Sequence, residues 1–282
     1  MEIVDFSREV CYNPNMIAVL YPEVFSMIYD VQKAGALRRI AAGLFDIIIL
    51  IVLATGLSWG ISALTDADAQ YQAVQDVYTA YGEKHNVNVS HTEEDLATLP
   101  AEELEQYNKN YQAAMDEMNA DPEAISTMMR FWSTALSTIS LSVLIAHLLL
   151  EFLVPLWLKN GQTFGQKAFG IGLMRKDGVM ISPFALFVRS ILGKATIEVL
   201  LPLLLVFMMF MGIAGVLIYL VLALVVAQVM LLLMHPNRCV LHDLMGCTIA
   251  VDISSQMIFR SPEALIAYQK ERAAEKAEKA SY

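Results

Sequence analysis

Charge is scarce in this chain. Only 17% of its 282 residues are Asp, Glu, Lys or Arg, against roughly a quarter in an ordinary soluble domain. Cysteine is scarce too: Cys11, Cys239 and Cys247 show no CxxC or other metal-type spacing, which leaves neither a disulfide framework nor a zinc signature. The first 36 residues hold scattered acids and no apolar core followed by small residues, so no signal peptide is expected and the first spanning helix directs its own insertion. No nucleophile–base pair and no G-x-x-x-x-G-K-[ST] phosphate loop stands out. The sequence therefore predicts no catalytic residue, no cofactor and no metal, and the chain is not expected to be an enzyme or to have a nucleic-acid partner.

What the chain has instead is apolar sequence in blocks. Hydrophobic residues make up 56%, the mean hydropathy is +0.50, and most of the apolar residues fall in 40–64, 131–158 and 197–234. The last block is roughly twice the ~20 residues that cross a ~30 Å hydrocarbon core. Charge sign orders the rest. Fourteen of the 29 acids but three of the 19 bases lie between Asp66 and Arg130, putting that segment at −11 and everything else at +1. Lysines and arginines gather before the first block, after the second and in the tail, which the positive-inside rule assigns to the cytoplasm.

The expected fold is all-α: a polytopic membrane protein with about four transmembrane helices, both termini cytoplasmic and a helical extracytoplasmic insert. Its segments are a cytoplasmic stretch 1–36 with an amphipathic helix, spans at 37–64, 129–158, 187–211 and 212–235, an acidic insert 65–128, a glycine-rich cytoplasmic loop 159–186 and a cytoplasmic tail 236–282. Trp59, Trp132 and Trp157 sit near span ends, where indole is favoured. The hairpin Met211-Gly212-Ile213-Ala214-Gly215 contains no polar residue. In the insert, Thr92-Glu93-Glu94-Asp95 and Leu99-Pro100-Ala101-Glu102 read as helix starts. Its acidity suits a basic partner or a solvated helical surface.

Ionisable residues within spans are costly and mark function or pairing. Arg39 and Asp46 are two helical turns apart on the first span, and His147 and Glu151 share a face of the second. Arg189, Lys194 and Glu198 follow at intervals of five and four on the third. Helical rise brings Asp46, Glu151 and Glu198 to similar depth. If the faces converge, they form a site for a small cation or proton, with Asp46, His147, Glu151 and Glu198 as ligands and Arg39, Arg189, Lys194 and Asp243 as structural or gating charges. The other reading is a set of internal ion pairs, such as Asp46 with Arg189 and Glu151 with Lys194. A third is snorkelling to the interface.

After the second span, LKNGQTFGQKAFGIGLMRKDG is dense in glycine and reads as a structured connector, with Lys176-Asp177-Gly178 turning between the short extended pieces GIGLMR and VMIS. After the fourth, HPNRCVLHDLMGCTIAVD holds His235, His242 and Asp243 without diagnostic metal spacing.

Together RRIAAGLFD, NGQTFGQKAFGIGLMRKDG and LHDLMGCTIAVD resemble the RDD family of multispanning membrane proteins over about residues 33–252, the insert apart. That family is named for an arginine opening its first helix, an aspartate within it, and a second aspartate. Arg39 (or Arg38) and Asp46 match the first two, and Asp243 is the candidate third. Gln166 departs from the family's frequent basic residue, with Lys167 following it. The resemblance implies a multi-pass protein, with a bacterial cell membrane as the expected location, and suggests ligand transport, including sodium/proton exchange. The functional expectation is a small transporter exchanging a monovalent cation for protons. Four spans are few for alternating access, so a homo-oligomer is implied. Besides the lipid bilayer, the alternative partner is another membrane protein, with this chain as a non-transporting scaffold whose insert binds it.

Overall fold

The computed structural model describes residues 31–210, 212 and 215–280. The expected amphipathic helix before residue 31, with Cys11, lies outside the described residues, as do Met211, Ile213 and Ala214 of the hairpin. Four helices are long and apolar enough to cross a membrane: α1 (Ala36–Leu64), α5 (Pro122–Trp157), α7 (Pro183–Met209) and α8 (Leu217–Met234). Further elements lie among the described residues. These are α2 (Ala67–Lys84), α3 (Glu93–Ala97), α4 (Ala101–Ala120), α6 (Phe164–Ala168), β1 (Ile171–Arg175), α9 (Leu241–Met245), β2 (Thr248–Asp252) and α10 (Pro262–Ala280). They form two compact units, residues 55–142 and the rest, with α1 and α5 running through both.

The unit 55–142 is helical, as its sequence predicts. Thr92 and Asp95 form a reciprocal capping box at α3, and Pro100 precedes α4. Lys84 and His85 both meet Glu117, and His91 stacks on Tyr107 at 5.5 Å. Helix α5 starts at Pro122, seven residues before the expected span. Asp121 Oδ1 accepts from the Glu123 amide at 2.9 Å, and proline at the first helical position forfeits only an amide that had no partner. At 29 residues, α1 is roughly 43 Å long and exceeds the hydrocarbon core. Only Ala42 and Asp46 on it are buried.

Two π-helical stretches interrupt the spans, Leu148–Leu153 in α5 and Val188–Leu200 in α7. A proline follows the end of each by two residues. Pro155 and Pro202 each lie four residues after a glutamate, Glu151 and Glu198. Proline has no amide to give that carbonyl and its ring would strike it, so the helix widens there.

A two-stranded antiparallel sheet departs from the all-helical expectation. β1 pairs with β2, Ile171 opposite Asp252 and Arg175 opposite Thr248. GIGLMR is therefore extended as expected, but its ladder partner is TIAVD; VMIS contributes the isolated bridges Met174–Met180 and Val179–Phe259. The Lys176-Asp177-Gly178 turn forms, with Gly178 at φ +84°. Ahead of α1, the Ala34 amide donates to Ala250 and Gln32 accepts from Asp252. Segments before α1, after α5 and after α8 thus meet in one structure, sealed by Ala34, Ala42, Ile171, Leu173 and Ala250 on one side and Met174, Cys239, Ile249 and Val251 on the other. The tail forms a helix, α10.

Candidate functional site

Asp46 points inward from α1 and is 8% exposed. Its Oδ2 accepts from the Thr163 hydroxyl at 2.5 Å and its Oδ1 from the Gly165 amide at 2.7 Å. The loop that supplies these donors is ordered residue by residue. Asn160 Oδ1 accepts from the Gln162 amide, Gln162 Nε2 donates to the Ile171 carbonyl, and Thr163 forms a capping box with Gln166 at the start of α6. Gln166 therefore has a structural task that a basic residue would perform less well. Gly165 is required by proximity: a Cβ there would collide with the Ala42 carbonyl oxygen and stand 2.9 Å from Asp46 Cγ.

Asp243, with no exposed surface, sits between two guanidiniums. Its Oδ2 pairs with Arg39 and also accepts from the Val240 amide at 3.3 Å; its Oδ1 accepts from Arg189 at 3.0–3.1 Å. His242 Nε2 lies 3.6 Å from the same oxygen. Burial pushes this carboxyl up, but His242, Arg189 and Arg39 outweigh it and hold it well below the usual carboxylate range. Burial, with Asp243 nearby, pushes the Cys239 thiol up to about 11, so it stays protonated. The arginine of the motif is Arg39, because Arg38 turns to the half-exposed pair with Asp252 at 2.8 Å. Close helix contact makes the clamp possible: a Cβ on Gly246 would stand 2.7 Å from Arg189 Cβ, and one on Gly193 2.9 Å from the His242 Cα.

Deeper along the spans, Glu151 is 3% exposed and its Oε1 pairs with Lys194. Glu151 Oε2 is buried without a hydrogen-bond partner among the described residues. His147 is buried one α-turn earlier, its Nδ1 2.9 Å from the Val143 carbonyl. Glu151 and Lys194 both act electrostatically on Asp46 and on His147, so these four groups form one cluster. Glu198 instead engages His242, its carboxylate 2.9–3.0 Å from Nδ1 and from the His242 amide. His235 is turned to the loop amides of Asn237 and Cys239.

The pair Glu151–Lys194 forms, whereas Asp46–Arg189 does not: Arg189 pairs with Asp243, and Asp46 accepts from backbone and hydroxyl donors instead. What the sequence reading missed is the π geometry. Arg189, Lys194 and Glu198 drift around an α-helix, but bonds closing at i→i+5 bring residues four and five apart onto one face. The signal was present as E-x-x-x-P in EFLVP and again in EVLLP.

No curated protein and no solved structure matches the chain. The family model described as the RDD family matches residues 33–246, the span holding Arg39, Asp46 and Asp243. The RDD family consists of membrane proteins, and with most of its length matched and four membrane-crossing helices, this chain belongs to it.

Proposed function

We propose that the protein is a small transporter exchanging a monovalent cation for protons, with Asp46 and Glu151 as the alternating carriers and the Arg39–Asp243–Arg189 clamp as the rigid frame. The observation that supports this reading is a charge imbalance in a buried place. Asp46 and Glu151 face a single ammonium, Lys194, so with His147 neutral the cluster carries −1. The clamp, at +1, is offset by Glu198 at −1, and His242 lies between Glu198 and Asp243. An uncompensated buried charge is costly. One proton or one monovalent cation restores neutrality, and the partnerless Glu151 Oε2 supplies a lone pair for it. Two species competing for one charge deficit is the minimum requirement for exchange. His147 supplies a further proton acceptor one turn away.

A second reading is supported by the saturation of Asp46, both of whose oxygens are occupied by the loop. In it the chain is a scaffold, its internal charges fix the packing, and the helical unit docks a partner protein. Proteoliposome flux separates the two. The transporter reading expects cation flux driven by a pH gradient, abolished in Glu151→Gln and in Asp46→Asn while each variant still purifies folded. Unchanged flux in both variants would remove the carrier assignment. The expected membrane is the bacterial plasma membrane, with the loop and tail on its cytoplasmic side as the charge bias predicts.

A further inference from the structure

The seat of α6 against α1 leaves a hollow on the outer side of both helices. Thr163 and Gly165 are fastened to Asp46, so this helix lies along α1 at the level of Ala42–Asp46, about 10 Å past Arg39. The hollow is open, about 480 Å³ in volume, and is lined by Phe45, Ile49, Phe164, Lys167 and Ala168. Its walls are apolar except at Lys167. Phe45 is 43% and Phe164 39% exposed, and Phe45 continues into Ile48 and Val52 as one outward apolar face of a membrane-crossing helix. Lys167 is exposed, with no ion pair among the described residues.

We propose that this hollow binds one anionic phospholipid, its phosphate held by Lys167 and its acyl chain laid along Phe45 and Ile49. Charge complementarity selects the occupant. A lone ammonium at the rim of an apolar trough, on the outward face of a spanning helix, matches a molecule whose negative charge is joined to a hydrocarbon chain. A free phosphate would leave the trough unfilled, and a partner helix would need a carboxylate at membrane depth. Lysine serves such a site as a point charge on a long apolar stem, which can lie over Phe164 while its head reaches the headgroup level. The site is independent of transport, because Lys167 belongs to neither the clamp nor the carrier cluster.

The test places an indole in the trough. In the full-length chain with Trp59, Trp132 and Trp157 replaced by phenylalanine, Phe45→Trp is the fluorescent reporter. The protein is reconstituted into vesicles containing brominated-chain phosphatidylglycerol or brominated-chain phosphatidylcholine. Quenching is expected to report about fivefold preference for phosphatidylglycerol, the scale of one basic residue acting near a headgroup. That preference should fall towards one in Lys167→Gln, while persisting in Lys167→Arg and in the exposed-lysine control Lys159→Gln. Three results overturn the proposal: a preference untouched by Lys167→Gln, an equal loss in Lys159→Gln, or an indole that neither lipid quenches because a second protein surface covers it.

Discussion

At the scale of single residues, Asp243 and Asp46 solve the same problem by opposite means. Asp243 is balanced by guanidiniums from two different spans, so replacing it leaves Arg39 and Arg189 facing each other without an anion. Asp243→Asn is expected to cost about 3–5 kcal/mol, read as a lower Tm in detergent; an unchanged Tm would contradict the clamp. The pH dependence has a definite sign. A carboxyl held below its ordinary value of 3.8 stabilises the fold above that value and loses its contribution as pH falls through the lower, folded value. The acid limb of the wild-type stability profile should therefore flatten in Asp243→Asn. Asp46 is balanced by hydrogen bonds through a contact only glycine permits. Gly165→Ala is expected to cost about 1–3 kcal/mol by forcing α6 off α1, measurable by the same thermal unfolding. Arg39 and Asp46 stood out in the sequence because charge in apolar surroundings needs a reason, and Asp243 through the family resemblance. Their partners did not, since Arg39 and Asp243 are 204 residues apart and only the fold joins them.

Elements were legible where local chemistry sets them. The helix starts at Thr92 and Pro100 and the four spans are present as read, although α5 begins seven residues early. The π stretches were not legible to a reading that assumed one helical period, although Pro155 and Pro202 mark both. The sheet's pairing escaped for a different reason: GIGLMR was legible as extended, but the five-residue TIAVD has no period long enough to distinguish strand from helix, and the pairing is non-local. Within the unit 55–142, the Tyr81 hydroxyl donates to Asp121, and that bond, ahead of a smaller effect of burial and of the Asp121, Glu117 and Glu123 charges, pushes the phenol up to about 12. A raised value means that the contact favours the fold below the ordinary 10.0 and ceases to do so as pH rises through about 12. In a tyrosinate absorbance titration, Asp121→Asn should return one tyrosine towards 10. No difference between the two curves would place Tyr81 elsewhere.

For the molecule as a whole, the sheet gathers the chain before α1, after α5 and after α8, while residues 55–142 form a unit of their own. The buried ionisable groups of the clamp and the carrier cluster all belong to the first of these. Deleting 66–128 is accordingly expected to leave cation flux in place. Under the scaffold reading the same deletion is expected to cost the chain its protein partner. The central claim is that one buried charge deficit is shared between a proton and a cation. The most direct measurement is proton release from purified protein on adding Na⁺, Li⁺ or K⁺ in weakly buffered detergent near neutral pH. The account predicts release of up to one proton per chain for at least one of these ions, absent in Glu151→Gln. No release with any of the three, or the same release from Glu151→Gln, would contradict it.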